Sequence, residues 1–224
     1  MGEEAKKFKL ERLTHTDGIQ LTENTYNLTI GAVLVWGFLI DFIMARFLTP
    51  YIVQVNYIVI LIAYFACSMA GIALVFKSRK PAVSLAGFTV LAAGMGLILT
   101  FFLTAYTAST IYSAFLMTGI VTVVMMLAGM FFPSFFMSIG RTLMMSLLAC
   151  IAVELIGGLI FRLPLDFVDY IVVLIFAGYI GYDWARAQAY PRTLDNAIDS
   201  AADIYVDIIN IFIRILSIMG KKKN

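Results

Sequence analysis

The chain has 224 residues, of which 62% are hydrophobic and 13% charged, with a formal net charge of +2. An ordinary soluble domain carries about 25% charged residues, and a globule this apolar has too few polar groups to cover its own surface. The composition excludes a disordered chain, a coiled coil, a secreted disulfide scaffold and most soluble enzymes, and the small net charge gives no basic face for nucleic acid. A polytopic membrane protein of about six or seven helical spans remains.

Residues 1–25 are polar and mixed in charge. They lack the apolar core of a cleavable signal peptide, and Lys6 breaks the myristoylation pattern begun by Met1-Gly2. We read them as a cytoplasmic tail in which the lone histidine, His15, is solvated. Seven apolar stretches follow, from Tyr26 to Phe47, Tyr57 to Phe76, Ala82 to Tyr106, Ile111 to Phe136, Leu143 to Phe161, Phe167 to Ala185 and Ala197 to Met219. The breaks between them are short. They include Pro50, the basic turn Lys77 to Pro81, the polar turn Thr107 to Thr110, the segment Met137 to Arg141 with Gly140, Pro164 and Pro191.

Backbone groups in hydrocarbon must pair internally, and the alternating segments of a β-barrel are missing, so the stretches predict helices. The fold class expected is an all-α bundle of seven helices. It forms one transmembrane domain over 26–219, ahead of a basic tail at 220–224. With the N-terminus cytoplasmic, Lys6, Lys7, Lys9, Arg12, Lys77, Arg79, Lys80, Arg141, Arg186 and Arg192 fall inside, and Arg46 and Arg162 outside. Lys221, Lys222 and Lys223 oppose that pattern if the last helix spans, and agree with it if the segment re-enters. Cys67 and Cys150 lie in apolar stretches and read as structural thiols. Gly87, Gly94, Gly96, Gly157, Gly158, Gly178 and Gly181 mark places where helices approach closely.

Ionisable groups inside a span are costly, and each is a functional candidate by default. They are Asp41, Glu154, Asp183, Asp199, Asp203, Asp207 and Arg214. Asp41, near the end of the first span, reads as an interfacial residue that snorkels to headgroups. Glu154 is mid-span and pairs with an arginine or hydroxyl, or lines a cation path. Asp199, Asp203 and Asp207 recur every four residues and form one stripe with Asn210 and Arg214. A lipid-facing helix does not tolerate such a stripe, so the last helix faces protein or a wet cavity. Asp183 and Asp207 flank the same loop at similar depths and can meet. Two carboxylates within a few ångströms in low dielectric cannot both ionise cheaply and share a proton. Protonated, the pair clasps two helices. Deprotonated, it loosens them and offers hard oxygens to Ca²⁺.

Tyr182-Asp183 and, 24 residues on, Tyr205-Val206-Asp207-Ile208-Ile209-Asn210-Ile211-Phe212 resemble the paired signatures of the Bax inhibitor-1 (transmembrane Bax inhibitor motif) family. Gly87-Phe88-Thr89 through Gly94-Met95-Gly96 resembles that family's third span more loosely. The resemblance implies seven helices with the last one central, and a pH-sensitive calcium leak controlled by an aspartate pair, here Asp183 and Asp207, the same two residues whose oxygens are offered to Ca²⁺. It also implies a basic latch at Lys77, with Arg79 next, and the acidic stripe itself offers a cation path past Asp199, Asp203, Asn210 and Glu154. The compact chain without a long targeting tail suggests a prokaryotic plasma-membrane member, and the expected partners are the lipid bilayer, Ca²⁺ and protons. No enzymatic activity and no cofactor are expected, Ca²⁺ being the transported ion, and the chain reads as a monomer with no protein partner assigned. Two other readings stay open. A di-aspartyl intramembrane protease uses the same proton-sharing chemistry, but Tyr205-Val206-Asp207 lacks the glycines such enzymes carry before the second aspartate. The other is a proton-coupled transporter or a regulator of membrane partners.

Overall fold

The computed structural model describes residues 18–161 and 166–220. His15, the N-terminal basic residues, Arg162, Pro164 and the lysines of the C-terminal tail lie outside the described residues. The helices are α1 (Glu23–Phe47), the short α2 (Thr49–Ile52), α3 (Tyr57–Lys77), α4 (Pro81–Leu103), α5 (Ala108–Phe131), α6 (Pro133–Val153), α7 (Asp166–Ala189) and α8 (Leu194–Met219). A π-helical segment, Glu154–Ile160, continues α6. Among the described residues, β-pairing is limited to one isolated bridge between Gln20 and Thr193. The architecture is therefore all-helical, as the apolar runs predict.

Among the described residues, six helices are long and apolar enough to cross a membrane: α1, α3, α4, α5, α6 with part of its π-helical extension, and α7. The last helix is not among them by composition, because its acidic residues interrupt the apolar run. Side-chain caps set several starts. Thr22 accepts from the Thr25 amide, Asn56 from the Ile58 amide and Thr107 from the Thr110 amide, which satisfies orphan donors of the first turn. Pro81 and Pro133 each stand in the first turn of their helix, where a missing N–H costs nothing.

Pro133 corrects the expected boundary between the fourth and fifth helices. The chain breaks at Phe132, not between Met137 and Arg141. Gly140 is instead inside α6, where a Cβ would meet the Tyr182 ring at 2.5 Å. Arg141, expected in the turn, is an exposed residue about 12 Å along α6 at 1.5 Å per residue.

The chain forms two compact units. The first takes the chain up to Thr104 together with Ala187–Tyr205, and the second takes Ala105–Arg186 with Val206 onward. In the first, α3 and α4 cross through glycines. A Cβ on Gly71 would meet the Leu91 amide at 2.6 Å, and one on Gly87 the Val75 amide at 2.8 Å. Gly94 faces Cys67 and Ser68, and Gly96 faces Met44 and Asp41. Ile52, Ile60 and Ile98 form an apolar cluster. Tyr26, fully buried, donates to the Ala187 carbonyl at 3.1 Å. Residues 19–21 pair with 192–194 through Leu21 N–H to Arg192 O (2.8 Å) and Leu194 N–H to Ile19 O (3.0 Å). In the second unit, Gly129 lies against the Gly181 backbone, Gly181 against Phe136, and Gly178 against Leu143. Phe136, Tyr182 and Ala185 make its cluster. Such small-residue contacts let helix backbones approach where lipid supplies no hydrophobic drive between helices. Both cysteines are free and half-buried, in keeping with structural thiols.

Candidate functional site: the carboxylates of the last helices

The last helix carries its acids into protein. From Leu194 to Leu216 no residue is exposed, and Asp195, Asp199 and Asp207 are buried. Thr193 begins the helix by accepting from the Asn196 amide at 3.1 Å. Asp195 in the first turn accepts from Ser84 Oγ at 2.7 Å, where a negative charge also complements the helix dipole. Asp199 is buried and Asp203 half-buried, both in the first unit. Asp207 and Asn210 belong to the second unit. Asn210 donates its Nδ2–H to the Val206 carbonyl of its own helix at 2.8 Å.

Asp183 is 7% exposed on α7 and pairs with Arg186 one turn on, at 2.7 Å. Arg186 also lies over the Tyr182 ring, 5.2 Å from its centroid. Tyr179, Tyr182, Asp183 and Arg186 thus occupy one face of α7, at the three- and four-residue spacings that bring side chains together. The Tyr179 ring lies 6.4 Å from that of Tyr182, centroid to centroid. The two aspartates singled out in the sequence are both buried residues of the second unit. Sequence reasoning counted Arg186 as a topology charge and missed it as the partner of Asp183, although the spacing of the two on one helix carried the signal. Lys77, ending α3, and Arg79, just before α4, are exposed residues of the first unit.

Glu154 begins the π-helical segment and pairs with Arg214, which donates to its Oε1 and, at 3.0 Å, to its Oε2. Arg214 also donates to Asp169 Oδ1 at 2.6 Å, and Ser217 donates to Asp169 Oδ2 at 2.7 Å. One guanidinium thus joins carboxylates of two other elements in the second unit, using the fork geometry that suits arginine. Of the two roles open to Glu154 from sequence, the pairing with arginine is the one the geometry displays. Asp169 escaped notice because it stands in the first turn of α7, at the hydropathic edge of the span.

Asp41 departs from expectation. It is 6% exposed, and Tyr205, with no exposure, donates its hydroxyl to Asp41 Oδ2 at 2.8 Å. It does not snorkel: α4 and the ring of Tyr205 close over it. Among the described residues no group of three or more His, Cys, Asp or Glu side chains is arranged to hold a metal ion.

The chain is 27% identical over 171 residues to an uncharacterized membrane protein of Streptococcus pyogenes serotype M3, covering 70% of this chain and 74% of the relative. A counterpart from serotype M1 is 26% identical over 170 residues, with the same coverage of 70% and 74%. Six membrane-length apolar helices and relatives named as membrane proteins make this an integral membrane protein. A family profile described as inhibitor of apoptosis-promoting Bax1 matches residues 19–224, and the chain belongs to that Bax inhibitor-1 family.

Proposed function

We propose that the protein is a pH-sensitive calcium leak channel, gated by a proton shared between Asp183 and Asp207. The observation that carries the reading is that both carboxylates are buried in the second unit, with Arg186 paired to Asp183 at 2.7 Å. With both acids ionised the three charges sum to −1, and with one proton bound they sum to zero. A buried site favours the neutral sum, because desolvated charge is costly. Proton binding therefore holds α7 and α8 together. Proton loss leaves an excess negative charge that loosens them and attracts a hard divalent cation. Arg186, on the same helix as Asp183, supplies the countercharge beside the pair. The acidic face of α8, with Asp199, Asp203 and Asn210, lines the path in this reading, and from Leu194 to Leu216 no residue of that helix is exposed. Ca²⁺ is cargo here, passing carboxylates without a resident metal site. The inner membrane of a bacterium, with the N-terminus cytoplasmic, is the setting that fits the charge distribution.

The test is Ca²⁺ efflux from proteoliposomes across a pH series. The wild type should leak, and more so at alkaline pH. Asp183→Asn with Asp207→Asn should leak with no pH dependence. A wild type without Ca²⁺ flux at any pH would defeat the channel reading. A double variant that kept the wild-type pH profile would defeat the gating mechanism alone.

A further inference from the structure

Asp41 is a buried carboxyl group in a transmembrane helix with its contacts only half accounted for. Oδ2 accepts from the Tyr205 hydroxyl at 2.8 Å. Oδ1 is fully buried and has no hydrogen-bond partner. It faces the backbone of α4 at Gly96, where an added Cβ would stand 3.1 Å from it.

The surroundings are apolar and closely built. Gly37, one turn before Asp41, makes room for the Tyr205 ring, with a notional Cβ only 2.9 Å from Tyr205 Cε2. Phe38 and Phe88 flank that ring at centroid distances of 5.6 and 5.3 Å. Among the described residues no cation reaches the carboxyl group. Tyr205 is the titratable group facing it from α8, and α4 presents Gly96. On α1 itself the nearest charge, Arg46, is exposed and lies by the Phe47 ring.

An ionised carboxylate in this place would keep one buried charged oxygen with no protein donor and no counterion. That costs far more than burying a neutral acid that lacks one hydrogen bond. We propose that Asp41 and Tyr205 form a second proton-binding site, with the proton on Asp41 Oδ1 and Tyr205 holding Oδ2. It is separate from Asp183 and Asp207, although Tyr205 and Asp207 are two residues apart on α8. A proton taken up here keeps α1 and α8 joined by a neutral carboxyl–phenol hydrogen bond. Proton release leaves an anion whose solvation requires that contact to open to water. The site would make the first unit respond to pH on its own account.

The experiment is infrared spectroscopy of the full chain in lipid nanodiscs at neutral pH, reading the C=O band of protonated carboxylic acids. It needs no ion flux, so it is independent of the leak-channel reading. The background is the Asp183→Asn/Asp207→Asn variant, which removes the other proposed proton site. A protonated-carboxyl band should persist there and vanish when Asp41→Asn, which is close to isosteric, is added. Tyr205→Phe should keep the band and move it to higher frequency, because the carbonyl loses its donor. Absence of the band from the background variant, or a band untouched by Asp41→Asn, would overturn the proposal. An unshifted band in Tyr205→Phe would remove Tyr205 from the site.

Discussion

Replacing Arg214 with leucine should destabilise the second unit through the carboxylates it leaves behind. The guanidinium donates to both oxygens of Glu154 and to Asp169. Breaking a fully buried ion pair from one side costs ~3–5 kcal/mol, whereas an exposed pair contributes ~0.2–1 kcal/mol. The side chains of Arg214, Glu154 and Asp169 are 28%, 30% and 14% exposed, so the cost falls between those limits, at about 2 kcal/mol. Most of that cost is the repulsion and poor solvation of two carboxylates without their cation. It follows that Glu154→Gln alone should be mild, because Arg214 keeps Asp169. Adding Glu154→Gln to Arg214→Leu should return about 1 kcal/mol of the loss. Equilibrium unfolding in mixed detergent micelles measures all four proteins of the cycle. The reasoning fails if Arg214→Leu lies within ~0.5 kcal/mol of wild type, the range of an ordinary surface change, or if the two substitutions prove additive.

Other outcomes follow from the same geometry. Ser84→Ala removes the donor to the buried Asp195 and should cost about 1–3 kcal/mol in the same unfolding assay. Gly71→Val would drive a side chain into the α4 backbone and should abolish a monodisperse folded peak in size-exclusion chromatography. Gly119→Ala, where nothing lies within 4 Å of an added Cβ, should leave that peak unchanged. Arg186→Leu removes the cation beside Asp183. It should shift the pH profile of Ca²⁺ efflux so that a given flux is reached only at more alkaline pH, because the two acids then hold their shared proton more tightly.

Much of the helical layout could be read from apolar runs and short polar breaks, since a bilayer-length helix leaves a long, continuous signal. Two local features misled that reading. Pro133 was passed over inside an apolar stretch, although proline in a first turn starts a helix as readily as it breaks one. Gly140 resembles a break in the sequence, although among membrane helices glycine more often marks close packing, here under the Tyr182 ring. The stripe Asp199, Asp203, Asp207 was visible from periodicity, and so was its consequence, a buried last helix. Asp41 could not be read correctly from depth along its own helix. Its partner Tyr205 is 164 positions away in the chain, and only tertiary packing brings them together. The Arg214 cluster was half visible: Glu154 was marked as needing a partner, while Asp169 looked like an ordinary first-turn acid.

The account rests most heavily on Asp183 and Asp207 acting as one titrating unit. The separation of their carboxyl oxygens in an experimental structure at acid pH tests this most directly. The account predicts oxygens within hydrogen-bond reach of each other, at about 2.5–3.0 Å. A separation beyond about 6 Å would leave the two acids without the coupling that a shared proton requires, and would contradict it.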